Sequence, residues 1–160
     1  VNSLQRRQSE IATPDGVDPE LRSGAPRPSP TAVAAAFCGG SLGTIARYAF
    51  DLAWPEPDGS IPHTTNVINT SGAFLIGIVA TILTRLAPDR RTLRAFVVTG
   101  LLGGWTTMSA LAVDGARVGV RNGVVTATIA MALSFTAGVI ATAAGIVLEG
   151  RVARRRAAHQ

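Results

Sequence analysis

The sequence predicts an all-α protein of four membrane-crossing helices, and three observations carry the prediction. Four apolar stretches follow one another at about residues 31–53, 62–84, 93–116 and 123–148, each near the roughly 20 residues that span a bilayer's hydrocarbon core. None shows the charged face of a soluble amphipathic helix. The arginines gather at the ends of these stretches and leave their interiors nearly empty, which is the distribution of a membrane protein.

Composition narrows the reading further. The chain has 160 residues, enough for one domain, and 47% of them are hydrophobic. Its 15 basic residues are all arginine and outnumber 10 acidic ones, for a net charge of +5. Such a balance can mark a nucleic-acid binder, but the segregation of the arginines favours a membrane. Cys38 is the only cysteine, which rules out an internal disulfide and a thiolate metal cluster. His63 and His159 lie far apart and outside the expected helices, without the spacing of metal ligands. No Ser–His–Asp set or pair of carboxylates lies at membrane depth, so an enzyme is not expected.

In chain order, residues 1–30 mix charge with Pro, Ser and Gly and read as a disordered tail. They lack the apolar run of a secretory signal. The four-helix unit is 31–148, and a basic tail follows at 149–160. The first segment holds Gly39, Gly40 and Gly43, which suit close helix packing, and Arg47 near its end. Arg47 can snorkel to the interface or act as a vestibule charge for anions, and position alone does not decide. The second segment is polar in its first half, "HTTNVINTSG", and apolar in its second. Thr65 and Asn69 are four apart and share a helical face, which sets neutral hydrogen-bond donors in a stripe. Such a stripe suits a small anion, and its bland counterpart is ordinary interhelical hydrogen bonding. In the third segment, "LLGGWTTMSAL", Gly103 and Gly104 loosen the backbone beside Thr106, Thr107 and Ser109. Either the hydroxyls bond back to their own carbonyls, or the helix breaks and its freed carbonyls face a buried cation. The segment by itself favours the first. The fourth segment is apolar apart from scattered hydroxyls such as Ser134.

Arginine placement also predicts orientation. Loop 54–61 has none, and the third connection has Arg117 and Arg121. The opposite side collects Arg27, then Arg85, Arg90, Arg91 and Arg94, then Arg151, Arg154, Arg155 and Arg156. The positive-inside rule places both termini in the cytoplasm.

Three motifs, "GGSLGTIARY" at 39–48, "NTSGAFLIG" at 69–77 and "GLLGGWTTMS" at 100–109, stand in this order on successive segments. Together they resemble the Fluc (CrcB) fluoride channels, over about residues 31–148. The resemblance implies a four-helix subunit with a broken third helix. It also implies an antiparallel dimer in the plasma membrane, with anion pores along the interface and a structural Na⁺ at the centre. By the same match the carbonyls of Gly103 and Thr106 would be the Na⁺ ligands and Arg47 would stand at the pore mouth. Thr65, Asn69, Thr107, Met108, Ser109, Leu111 and Ser134 would line the fluoride pathway.

The chain also departs from that family. The family's "TTFSTF" reads "TTMSAL" at 106–111, so Met108 and Leu111 replace two pore phenylalanines, and Ala110 replaces a threonine. Ala130 stands where a tyrosine is expected. Thioether and alkyl groups lack the positive ring edge that an aromatic offers an anion, so this chain's third helix should form a poorly conducting half-pore. The arginine bias is also too large for a chain that must insert both ways. Together these point to a subunit mediating passive fluoride efflux beside an oppositely oriented homologue. The alternatives are a dual-topology homodimeric channel, a small four-helix exporter and a non-conducting scaffold. The exporter would need a membrane-embedded glutamate, and Glu149 lies only at the far end of the fourth segment.

Overall fold

A computed structural model describes residues 29–56 and 60–158. The expected tail at 1–30 lies outside them apart from Ser29 and Pro30, which begin the first helix, and so does His159. Among the described residues all regular structure is helical, without strands. Helix α1 spans Pro30–Ala53 and α2 spans His63–Leu86. A third stretch comprises α3 (Arg91–Arg94), a π-helical segment (Ala95–Leu102), α4 (Gly103–Trp105) and α5 (Met108–Asn122). Helix α6, Val124–Ala157, completes the chain.

Local chemistry sets these boundaries. The Ser29 hydroxyl accepts from the Ala32 N–H at 3.2 Å, and Pro30 occupies a first-turn position where no amide hydrogen is needed. α1 stops just ahead of the Trp54–Pro55 bond, and α2 stops ahead of Ala87–Pro88, because a residue preceding proline avoids helical backbone angles. The start of α2 is tied to the loop before it. The Glu56 carboxylate accepts from the Thr64 amide, and the Thr64 hydroxyl donates to the Trp54 carbonyl at 2.9 Å. A carboxylate there also meets the positive end of the helix dipole. His63, expected in a turn, is the first residue of α2.

Three of the four helical stretches are long and apolar enough to cross a membrane: His63–Leu86, Arg91–Asn122 and Val124–Ala157. α1 equals α2 in length at 24 residues, but Ser41, Thr44, Arg47 and Asp51 are spread from its middle onward, whereas the polar residues of α2 gather mostly in its first half and leave a long apolar run. Among the described residues the buried apolar core consists of Ile68, Leu102, Leu111, Val118 and Ala127 only, while large apolar side chains cover the outside. A water-soluble domain of this size buries far more, so the surface is built for lipid or protein.

Packing does not follow chain order. α1 lies along the π-helical segment and α4, α2 lies along α6, and α5 packs on α6, whereas α1 and α2 barely touch. Without a hydrophobic drive between helices in lipid, close backbone approach supplies the contact, and glycines permit it. A Cβ on Gly39 would overlap the Phe96 carbonyl, and one on Gly43 the Leu101 carbonyl. The approach is mutual: Gly100 faces the Ala36 carbonyl, and Gly104 faces that of Gly40. Gly77 and Gly145 form the equivalent seam between α2 and α6, against the carbonyls of Thr142 and Phe74.

Two features differ from the sequence expectation. Arg117 and Arg121, expected in a loop, sit in the last turns of α5, and Gly123 alone joins α5 to α6. Its φ of 90° and ψ of 153° form a conformation that other residues rarely adopt. The expected basic tail also continues α6 to Ala157, and within it Glu149 is buried and paired with Arg85 of α2.

Gly43→Val should destabilise the purified protein by about 2 kcal/mol or more, the upper range for overpacking a tight contact. A thermal shift in detergent checks this, with Gly150→Ala, which meets nothing within 4 Å, expected to be neutral.

Candidate functional site

The site forms where the third stretch leaves helical geometry. α4 ends at Trp105, Thr106 and Thr107 have extended backbone with ψ of 152° and 121°, and α5 resumes at Met108. Two extended residues leave peptide groups without intrahelical partners, and at membrane depth each must be satisfied by protein. Asn69 of α2 meets this need for the Thr107 residue. Its Nδ2 donates to the Thr107 carbonyl at 2.8 Å, and its Oδ1 accepts from the Thr107 amide at 2.7 Å. The carboxamide thus pairs with main chain as a neighbouring strand would, and one of its two Nδ2 hydrogens remains. The Thr107 hydroxyl caps α5 by accepting from the Ala110 amide at 3.1 Å, and it lies 3.2 Å from the Ser109 hydroxyl.

Thr106 is satisfied on one side only. Its amide donates to the Leu102 carbonyl at 3.0 Å and its hydroxyl lies 3.2 Å from the same oxygen. Among the described residues no protein donor reaches the Thr106 carbonyl. The Gly103 carbonyl is approached by the Thr106 hydroxyl, at 3.5 Å. The packing beside the break is aromatic: Trp105 stands edge-on to Phe50 of α1 at 5.7 Å, and its Nε1 donates to the Ser71 hydroxyl at 3.1 Å.

Six of the residues singled out from sequence meet at one cavity of about 310 Å³: Asn69, Thr106, Thr107, Met108, Leu111 and Ser134. Its polar groups are neutral amide and hydroxyl functions, with no carboxylate. Met108 is 57% exposed and Leu111 3%, so the two residues at the expected phenylalanine positions have unlike surroundings. Ser109 is exposed beside the Thr107 hydroxyl.

Thr65 lies one turn earlier on α2 and is buried. Its hydroxyl donates to Asp114 Oδ2 at 2.7 Å, while Asp114 Oδ1 lies 3.6 Å from Arg117. Arg47 stands apart on α1, where it pairs with Asp51 at 3.5 Å and leaves its Nε buried without a partner among the described residues.

Two functional candidates escaped the sequence reading. Asp114 is three residues after Leu111 and seven after Thr107, so helical spacing alone sets it on the face of α5 that carries the site. Asn66 is three residues before Asn69, and it accepts from the Ser134 hydroxyl at 2.5 Å across the α2–α6 seam.

Comparison with known proteins decides the family. A model for "CrcB-like protein, Camphor Resistance (CrcB)" matches residues 34–146. The chain belongs to the CrcB family. Among its relatives, the fluoride-specific ion channel FluC 2 of Nocardia farcinica (strain IFM 10152) is 36% identical over 126 residues, 78% of this chain and 86% of that one. FluC 3 of Streptomyces avermitilis (strain ATCC 31267) is 38% identical over 124 residues, 78% of this chain and 60% of the relative. FluC 2 of the same strain is 44% identical over 82 residues, 51% of this chain and 52% of the relative. The CrcB match covers α1, α2, the whole third stretch and most of α6, and therefore every residue of the cavity described above. This CrcB chain is a multi-pass membrane protein.

Asn69→Leu keeps the side chain's size but loses both bonds to Thr107. At roughly 0.6–2 kcal/mol per membrane hydrogen bond, the loss should total about 1–4 kcal/mol. Hydrogen exchange at the Thr107 amide should accelerate while exchange in α6 stays unchanged. Equal protection in both proteins would show that the clasp contributes nothing.

Proposed function

We propose that the chain is a subunit of a channel that lets fluoride leave the cytoplasm passively. One observation carries the reading: in a CrcB-family chain, Asn69 and Thr107 bring neutral donors to one cavity, with Ser134 in its wall, at the interruption of a membrane-crossing stretch. Fluoride is small and strongly hydrated. A pathway must replace lost water with directed N–H and O–H groups, yet hold the ion weakly enough to release it. Hydrogen fluoride enters cells as a neutral acid and dissociates in the less acidic cytoplasm, so an open path for the anion is enough for export. The relatives named fluoride-specific ion channels support the same conclusion.

Several finer features belong to this reading. α1 is the fourth crossing, its Ser41 hydroxyl bonded back to the Phe37 carbonyl and its Arg47 paired with Asp51. The third crossing is a broken helix, opened at Thr106 and Thr107. The carbonyls of Gly103 and Thr106 fit a structural Na⁺: one has no protein donor, the other only a long hydroxyl contact, and neutral carbonyls are the donor set that unwound membrane helices offer this ion. Both termini are cytoplasmic, by the arginine bias. The exposed apolar faces are covered by lipid and by a second subunit in antiparallel orientation.

That second subunit is a homologue. Met108 and Leu111 bring no aromatic edge from the third stretch, where the family has two phenylalanines, and Phe135 of α6 is the one aromatic residue in the cavity's lining. A partner with both phenylalanines would complete it, and a chain with this charge asymmetry inserts one way. The Streptomyces avermitilis strain with both FluC 2 and FluC 3 shows that one organism can encode two such proteins.

Reconstituted alone, the chain should give fluoride efflux from liposomes at least tenfold slower than when co-expressed with a homologue carrying intact "TTFSTF". Robust efflux from the chain alone, as a stable dimer, would overturn the pairing, and absence of efflux in both would overturn the channel reading. Replacing Na⁺ by N-methylglucamine should lower the melting temperature of the assembled protein by several degrees, because a ligand bound only by the folded state stabilises it. An unchanged melting temperature would remove the Na⁺ assignment.

A further inference from the structure

A second cavity, of about 370 Å³, opens between α2 and α6 beside the first. Ser134 lies in the wall of both. Most of the lining is apolar, with Ile129, Leu133 and the small Ala130 on the α6 side, and α2 contributes Asn66 and Thr70. These two are four apart and share one helical face.

Their hydrogen bonding is incomplete in one direction. The Ser134 hydroxyl holds Asn66 Oδ1 at 2.5 Å and lies 2.9 Å from the Ala130 carbonyl. With its oxygen engaged, the Asn66 carboxamide has both Nδ2 hydrogens left, and among the described residues no acceptor meets them. The Thr70 hydroxyl has no acceptor either. This sets it apart from Thr81, Thr126, Thr128 and Thr136, whose hydroxyls each bond back to the carbonyl four residues earlier at 2.7–2.9 Å. Three donors therefore border this cavity, which has no carboxylate in its lining, and the same two side chains also border a more open cavity with His63 and Ser71. Both side chains are half-buried, so an acceptor from outside the chain can reach them, and at membrane depth one is needed to satisfy them.

We propose that Asn66 and Thr70 form a second station for a small hard anion, fluoride on the reading above, next to the Asn69 cavity and reached past Ser134. The inference rests on that reading and adds residues to it. Ser134 is the positioning residue: by holding the carboxamide oxygen it turns the NH₂ group toward the cavity. Two weak stations that share a wall suit conduction, since an ion held at several shallow sites can be passed along without being trapped.

Side-chain amide NMR tests this directly. The chain contains four asparagines, Asn2, Asn66, Asn69 and Asn122, so ¹⁵N-asparagine labelling gives four NH₂ signals, and Asn66→Leu identifies one by its loss. In lipid nanodiscs, sodium fluoride should shift the Asn66 signal saturably, and sodium chloride at equal concentration should not. Thr70→Val should weaken that shift at least threefold in apparent affinity, while Thr128→Val, whose hydroxyl bonds to its own helix, leaves it unchanged. In liposomes holding the assembled channel, Asn66→Leu should slow fluoride efflux at least tenfold with the melting temperature within a few degrees of the parent. If the Asn69 signal moves with fluoride and the Asn66 signal does not, the second station is absent while the channel reading stands. If neither moves and the assembled protein passes no fluoride, the channel reading fails and takes the station with it. An equal response to chloride would also overturn the proposal.

Discussion

The architecture turns on how a membrane protein satisfies a peptide that has left its helix. In water, Thr106 and Thr107 would hydrate and cost little. In hydrocarbon, each freed amide or carbonyl costs several kcal/mol unless protein meets it. Asn69 meets two of them at once through the paired contact with Thr107, and the Thr107 hydroxyl in turn starts α5. The same asparagine is therefore bound to the extended residues through its oxygen and one of its N–H groups. Its clasp brings α2 to the cavity, and only the second Nδ2 hydrogen is left for the ion-binding role proposed above. In that reading one side chain has a structural and a chemical task, and the two are separable only by measurements that report on each.

Around this point the subunit divides into two halves, each closed by small residues. α1 is seamed to the π-helical segment and α4 by Gly39, Gly43, Gly100 and Gly104, and α2 is seamed to α6 by Gly77 and Gly145. The third stretch belongs to both: its first part packs on α1, and α5 packs on α6. The extended residues Thr106 and Thr107 lie where one half gives way to the other. Trp105, wedged between Phe50 and Ser71, fixes the crossing point from the α1 side. At the far end of α2 the buried Glu149 pairs with Arg85, so the α2–α6 half is pinned by charge as well as by backbone contact.

Much of this was legible before any coordinates. Hydropathy located the helical stretches because a bilayer imposes a length that composition alone reveals, and the glycines announced close packing. The cluster of Asn69, Thr107 and Ser134 followed from residue type and from resemblance. Other features were hidden for definite reasons. Arg117 and Arg121 read as loop residues because charge marks the membrane edge, whereas a helix can continue past that edge. Thr65 and Asp114 are 49 positions apart, and nothing in either local pattern predicts their bond. Asn66 looked like one polar residue among several, and only the reach of Ser134 from α6 singles it out. The pairing of α1 with the third stretch, instead of with α2, is likewise a property of three-dimensional packing that hydropathy does not encode.

The junction at Gly123 has a consequence for biogenesis. With one residue between them, α5 and α6 cannot enter a bilayer as independent rods. The chain must deliver them as a single hairpin, its tip led by Arg117 and Arg121. On the orientation proposed above that tip crosses hydrocarbon, and the long second arm supplies most of the greasy surface that compensates for its two guanidinium groups. Which way the pair points then follows from whether this tip crosses, because a link of one residue leaves the two arms no separate choice.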